Sequence, residues 1–240
     1  MTTAITAGPV LVLPGDTPRD VWLAERRKGV GASDVAAIVG VSLYQGPLRV
    51  WLDKTGQLNW DGNAATKWGS RFEDDVLDEF IDHHPELVIA RSPGMYADAA
   101  EPWRRVSLDG LATGDDGLEV IEIKTGQSRH STEEQWGEPG TDQIPLMYLC
   151  QVTWACAIMG ARRWRVGFLP LDDLENYCEY TGMFSAELAA RLHARTAAFW
   201  TGNVLAGIEP SADGLPDTTQ WLEGHHRVPR TDKGTPRELP

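Results

Sequence analysis

Apolar and polar positions along the chain change period several times, and each change marks an element. Helical spacing covers residues 19–28 and resumes after Gly31-Ala32-Ser33-Asp34, where Ser33 is placed to cap a helix over 35–39. Pro47 suits the first turn of a third helix, which runs to about Lys54 and which Gly56 ends. A longer helix spans about 67–83. Strand pattern follows at 88–91, 105–113 and 118–125, and Gly114-Asp115-Asp116-Gly117 joins the last two as a hairpin. A helix at about 144–159, strands at 163–170 and near 175–181, and a final helix over roughly 185–202 complete the series.

Residues 1–17 lack periodicity and contain Gly8, Pro9, Pro14 and Gly15, so a flexible leader is expected there. From Ser211 to the last residue the chain is rich in Asp, Gly, Pro and Thr, which predicts a peripheral or disordered tail over 211–240. Neither a repeat nor a linker interrupts 18–210, so this stretch reads as a single domain. Helices on both sides of a small mixed sheet give an α/β (α+β) fold class.

Several acidic positions do not sit where a solvated charge belongs. Glu122 and Lys124 are two apart on a strand, so they face one way while Ile121 and Ile123 face the other. Asp109, on the neighbouring strand, can reach the same spot. Buried charges are costly unless paired or bound to a metal. Two carboxylates there are suited to hard-oxygen coordination of one or two Mg²⁺ ions, with Lys124 acting on a water or on charge developing at a phosphate. The same pair of charges also occurs on exposed hairpins, where it does nothing. On the helix over 67–83, Glu73 shares a stripe with Val76, Leu77 and Phe80, whereas Asp74, Asp75, Asp78 and Glu79 lie towards solvent. An inward carboxylate needs a partner, and a metal or Lys124 would serve. Gln151 lies in a helix that is apolar almost all round, so its amide must find partners: substrate, a metal-bound water or backbone. Gly29-Val30-Gly31-Ala32-Ser33 opens a helix and offers free N–H groups to a phosphate, and Arg26 can add a bidentate contact.

Composition narrows the setting. The net charge is −13, which opposes a broad nucleic-acid surface but says little about the inside of a cleft that divalent ions load. No apolar run approaches about 18 residues, so no membrane span is expected. The N-terminus lacks a basic signal-peptide region. Cys150, Cys156 and Cys178 have no metal-site spacing, which points to a reduced, cytoplasmic setting. Ten tryptophans imply several large buried anchors.

The stretches WLAERRKGVGASDVAAIVG, WGSRFED, SLDGLATGDDGLEVIEIKT and YLCQVTWACAIMG occur in this order over about residues 22–160. In that order they resemble the lambda-exonuclease and YqaJ-like viral recombinase family of PD-(D/E)XK nucleases. The resemblance implies a restriction-endonuclease-like core with helices flanking the sheet. It implies Asp109, Glu122 and the backbone carbonyl of Ile123 as metal ligands, with Glu73 joining them. It also implies Lys124 on the water nucleophile, Gln151 as the active-site glutamine, and Arg26 and Ser33 at the 5′-terminal phosphate. The activity implied is Mg²⁺-dependent (Mn²⁺ substituting) 5′-to-3′ digestion of duplex DNA with free ends, leaving 3′ overhangs for a single-strand annealing protein. Some members form ring-shaped homo-oligomers, and a phage-encoded member works in the bacterial cytoplasm. A structure-specific endonuclease, or a non-catalytic acidic protein binding a recombination or repair factor, are the alternatives. Two positions depart from the family pattern: Leu108 replaces the proline before the first aspartate, and Ala155 stands where related nucleases carry a tyrosine.

Overall fold

A computed structural model describes residues 8–58, 64–114, 117–127, 136–212 and 214–215. One sheet holds six strands in sequence order: β1 (Val10–Leu13), β2 (Val88–Ala97), β3 (Arg105–Gly114), β4 (Gly117–Gly126), β5 (Arg163–Pro170) and β6 (Cys178–Met183). Neighbours are antiparallel except β4 and β5. A parallel pair needs a crossover, and helix α5 (Leu146–Met159) lies in it. The other helices are α1 (Arg19–Arg26), α2 (Ala32–Val39), α3 (Pro47–Lys54), α4 (Ala64–His83) and α6 (Ala186–Phe199), which runs on into a π-helical turn at Trp200–Leu205. The α/β class and the mixed sheet are as expected from the sequence.

The sheet divides the core in two. On one face Val76, Leu77 and Phe80 of α4 pack with Ala112, Ile121 and Ile123. On the other, α2, α3, α5 and α6 pack over Val106, Leu108, Val120, Trp164 and Phe168. Helix α5 is apolar almost all round because it is buried almost all round. The indole N–H of its Trp154 donates to the Arg105 carbonyl at 3.1 Å, which fixes α5 to the start of β3. Trp154 and Trp164 are fully buried, Trp51 and Trp200 nearly so, while Trp68 is about half exposed.

Two expectations need correction. The leader over 1–17 is in part a strand, since β1 pairs with β2 at the sheet edge. Strand β2 also continues to Ala97 instead of stopping at Arg91, because a bulge between Arg91 and Gly94 bends it and lets pairing resume. Gly94 has φ +119°, and a Cβ there would meet the Leu13 carbonyl oxygen at 2.2 Å. Gly15 makes the matching approach, since a Cβ there would press on the Ser92 carbonyl oxygen, so glycines at 15 and 94 let the chain after β1 lie against the bulge. In the expected tail, residues 211–212 and 214–215 carry no regular structure, and 216–240 lie outside the described residues, as do Asp115 and Asp116 of the hairpin.

The loop between α1 and α2 is tied to the start of β3. The Val30 amide donates to the Trp103 carbonyl at 2.7 Å, and the Arg105 amide donates to the Val30 carbonyl at 2.9 Å. A Cβ at Gly29 would lie 2.3 Å from the Trp103 oxygen, so only glycine permits this approach.

Candidate active site

The antiparallel ladder between β3 and β4 runs from Gly114–Gly117 to Gly110–Ile121 and stops. Asp109 and Glu122 are the next residue on each strand. Beyond that point β3 stays with β2 and β4 with β5, so the two strands part. The Asp109 carboxylate fills the first missing rung: its Oδ2 accepts the Ile123 N–H at 2.7 Å. An N–H and C=O of one strand residue leave by the same edge, so the Ile123 carbonyl faces the same opening.

Glu122 projects to the α5 side, away from Ile121 and Ile123, as strand alternation requires. Only 3% of its side chain is exposed. One of its oxygens, Oε1, accepts hydrogen bonds from both the Lys124 ammonium and the Gln151 amide. Burial and the nearby Asp109 charge push the Glu122 carboxyl up to about 7, against the pull of Lys124. Burial lowers the Lys124 pKa, but Glu122 and Asp109 outweigh it and leave the ammonium above its ordinary value. Tyr148, one turn before Gln151 on α5, sets its ring 5.4 Å from the Lys124 Nζ.

Glu73 arrives from α4 and shares a hydrogen bond with Asp109, which requires a proton between the two carboxyls. Burial, then Asp109, then Glu122 push Glu73 up to about 8. Three carboxyls thus crowd one cation, and protons replace the charge compensation they lack. The sequence-predicted Glu73, Asp109, Glu122, Lys124 and Gln151 form one connected group. Among the described residues no three His, Cys, Asp or Glu side chains converge closely enough to hold an ion as they stand. The donor set at the strand opening nevertheless consists of oxygens, the ligand type for a hard divalent cation.

A cleft adjoins this group, lined by Trp22, Arg26, Ser33, Arg105, Ser107 and Gln151. Gln151 belongs to both, so the cleft opens beside Glu122. Arg26 and Ser33 lie together here, with the guanidinium donating to the Ser33 hydroxyl at 3.2 Å. The expected cap is different, however. Helix α2 begins on Gly31, whose N–H donates to the Asp34 carboxylate at 2.9 Å, while Ser33 sits exposed inside the first turn. A hydroxyl not used as a cap remains open to the cleft.

Several contributors escape sequence reading. Ser107 precedes Asp109 by two and so lies on the same strand; Trp22 precedes Arg26 by four on α1, and the Arg26 guanidinium stands 5.7 Å from its ring. Those spacings were available. The pairing of Asp34 with Lys54 was not, because nothing local links α2 to α3. Lys54 Nζ lies 2.6 Å from Asp34, with no exposure of the lysine side chain. Burial acts against the charge of both groups. For Asp34, Arg26 and Lys54 outweigh it and hold the carboxyl below its usual range, whereas Lys54 ends below the usual lysine value. Other arginines are held by the protein's own carboxylates: Arg105 by Glu25, Arg104 by Asp98, and Arg165 by Glu119.

Residues 21–162 match the family described as the YqaJ-like viral recombinase domain. An uncharacterised protein, YqaJ of Bacillus subtilis strain 168, is 27% identical over 226 residues, 93% of this chain and 68% of its own length. Among solved structures, an alkaline exonuclease from Laribacter hongkongensis superposes with TM-score 0.60 at 21% identity, covering 79% of this chain and 94% of that one. A phage-related exonuclease from Haemophilus somnus 129PT gives TM-score 0.56 at 14% identity, covering 76% and 96%. The fold is the restriction-endonuclease-like core expected from the sequence.

Proposed function

Because the chain belongs to the YqaJ-like viral recombinase family, we propose that it is a Mg²⁺-dependent deoxyribonuclease that digests linear duplex DNA from a 5′ end and leaves 3′ single strands for recombination. The observation that carries this reading is the parting of β3 from β4 at Asp109 and Glu122, with Glu73, Lys124 and Gln151 gathered at the same opening. The likeness to an alkaline exonuclease and a phage-related exonuclease supports the same class of activity.

Asp109, Glu122, Glu73 and the Ile123 carbonyl are the groups that would hold one or two divalent ions, Mg²⁺ with Mn²⁺ substituting. Such an ion, when bound, supplies Lewis acidity to the scissile phosphate and lowers the pKa of the attacking water. Lys124, which donates to Glu122, would with Glu122 engaged by the ion be free to donate to the water or to the phosphate oxygen that gains charge. Gln151 orients the phosphate from the α5 side, between the metal ligands and the cleft. Arg26 and Ser33 hold the terminal 5′-phosphate one nucleotide away, which sets the register of cleavage. The family resemblance extends the reading to a single-strand annealing protein as partner, a ring-shaped homo-oligomer on the DNA and a site of action in the bacterial cytoplasm.

The test is digestion in Mg²⁺ of duplexes labelled separately at a 5′ or a 3′ end, alongside covalently closed circular DNA. Early release of the 5′ label as mononucleotide, with the circle intact, is expected, and a chelator stops it. Early release of the 3′ label removes the assigned polarity. Cutting of the circle identifies a structure-specific endonuclease instead.

A further inference from the structure

Arg26 faces the cleft while already bonded to two carboxylates: its Nη2 lies 2.5 Å from Asp34 Oδ1 and its Nη1 3.3 Å from Asp53 Oδ2. An arginine neutralised in this way is a poor receiver of an anion, and the surrounding groups decide whether it is neutralised. Lys54 Nζ lies 2.6 Å from the other Asp34 oxygen and 3.6 Å from Asp53, and it also donates to the Arg26 carbonyl at 3.3 Å. Arg27 Nε stands 3.6 Å from the Asp53 carboxylate. The cluster therefore sets three cations (Arg26, Arg27, Lys54) against two carboxylates (Asp34, Asp53), leaving one positive charge. Of the three cations, only Arg26 lines the cleft. Arg105, the other arginine there, shares the Glu25 carboxylate with Lys28, at 2.7 and 2.6 Å, in a group whose charge is the same in every variant below.

We propose that Lys54 is a positioning residue for the 5′-terminal phosphate: by sharing Asp34 it leaves the charge of Arg26 for the incoming anion while Asp34 fixes the guanidinium towards the cleft. Lys54 itself touches no substrate. This rests on the preceding reading only in taking the cleft as the seat of a terminal phosphate, so its test reads binding rather than hydrolysis. Charge arithmetic separates it from a role in folding. Lys54→Met leaves two cations against two carboxylates, a net of zero. The double variant Asp34→Asn with Lys54→Met leaves two against one and restores the parent's single positive charge.

The experiment is equilibrium binding of fluorescein-labelled duplex oligonucleotides bearing a 5′-phosphate or a 5′-hydroxyl, in Ca²⁺ or in chelator, with thermal melting of each variant. The parent is expected to prefer the 5′-phosphate. Lys54→Met should lose about tenfold of that preference, the order of one charge-assisted contact, and the double variant should regain most of it. Equal loss in both variants overturns the inference in favour of a packing role for Lys54, as does a parent without preference. Where Lys54→Met alone does not fold, the double variant decides: a parent-like preference sustains the inference and a lost one refutes it. Absence of hydrolysis in the parent, with the binding pattern intact, counts against the nuclease reading and not against this one.

Discussion

Glu122 and Glu73 keep their protons to a far higher pH than ordinary carboxyls, and the reason is the same for both: burial beside other carboxylates with one lysine to share. A group whose folded pKa lies above its unfolded value adds stability that is complete below the unfolded pKa and is lost as pH rises through the folded one. For Glu73, raised from 4.5 to about 8, and Glu122, raised to about 7, the window runs from mildly acidic to mildly alkaline pH. The metal-free protein should therefore melt at a lower temperature at pH 8.5 than at pH 5.5, within the range of about those two values that the shifts define. Mg²⁺ should raise the melting temperature more at the higher pH, where its ligands are deprotonated. Glu122→Gln should flatten the metal-free profile and remove at least about 100-fold of the hydrolysis rate. Thermal melts across pH, with and without Mg²⁺, decide the matter; a flat profile for the parent removes the crowded-carboxyl account. At this scale the sequence was informative where a rule of periodicity applied. Glu73 is visible because it breaks an apolar stripe, and Glu122 and Lys124 because strands alternate. Ser33 and Gly31, the latter with Asp34 supplying the side-chain oxygen, both suit the start of α2, and sequence alone does not rank the two; the structure has Gly31. Asp34 and Lys54 could not be paired at all, since the contact joins two helices whose packing is tertiary.

The elements place these residues by a few close approaches of backbone. Helices and strands came through from the sequence with boundaries within a few residues, because long periodic segments such as α4, β4 and α5 carry strong patterns. What did not come through was β1 and the far half of β2. Both depend on a bulge, and a bulge breaks the alternation by which a strand is recognised. The approach that matters most to the site is Gly29 against Trp103, which ties the α1–α2 loop to the start of β3 and so sets Arg26 and Ser33 over the cleft. A methyl group there would press on a carbonyl oxygen 2.3 Å away, and backbone cannot yield as a side-chain tip can. Gly29→Ala should cost about 1–3 kcal/mol by overpacking. It should also weaken discrimination between 5′-phosphate and 5′-hydroxyl ends while leaving the apparent Mg²⁺ affinity close to the parent's, because the strand opening lies on other elements. Chemical denaturation and a Mg²⁺ titration of the variant check the two halves. A loss of Mg²⁺ affinity equal to the loss of end discrimination would show that cleft and metal ligands are one mechanical unit.

The whole molecule carries a net charge of −13, and many of its arginines are already engaged with its own carboxylates. Long-range attraction for DNA is therefore weak by construction, and without cations the site itself adds to the repulsion. A divalent ion reverses the local sign at the strand opening, being the largest charge there. Affinity for duplex DNA should then depend on the divalent ion far more than on a basic surface. Calcium is the probe of choice, since it accepts oxygen ligands in looser geometry than Mg²⁺ and should support binding without turnover. Fluorescence anisotropy with an end-labelled duplex should show at least about tenfold tighter binding in Ca²⁺ than in chelator at matched ionic strength, the order expected from one well-placed charged contact. Asp109→Asn combined with Glu122→Gln should abolish that gain by removing the ligands. If the double variant instead binds as tightly in chelator as the parent does in Ca²⁺, repulsion by the carboxylates was the whole effect and the ion acts by screening. If the parent binds equally in both conditions, the ion contributes nothing to affinity and the account of a site whose sign is reversed by its metal fails.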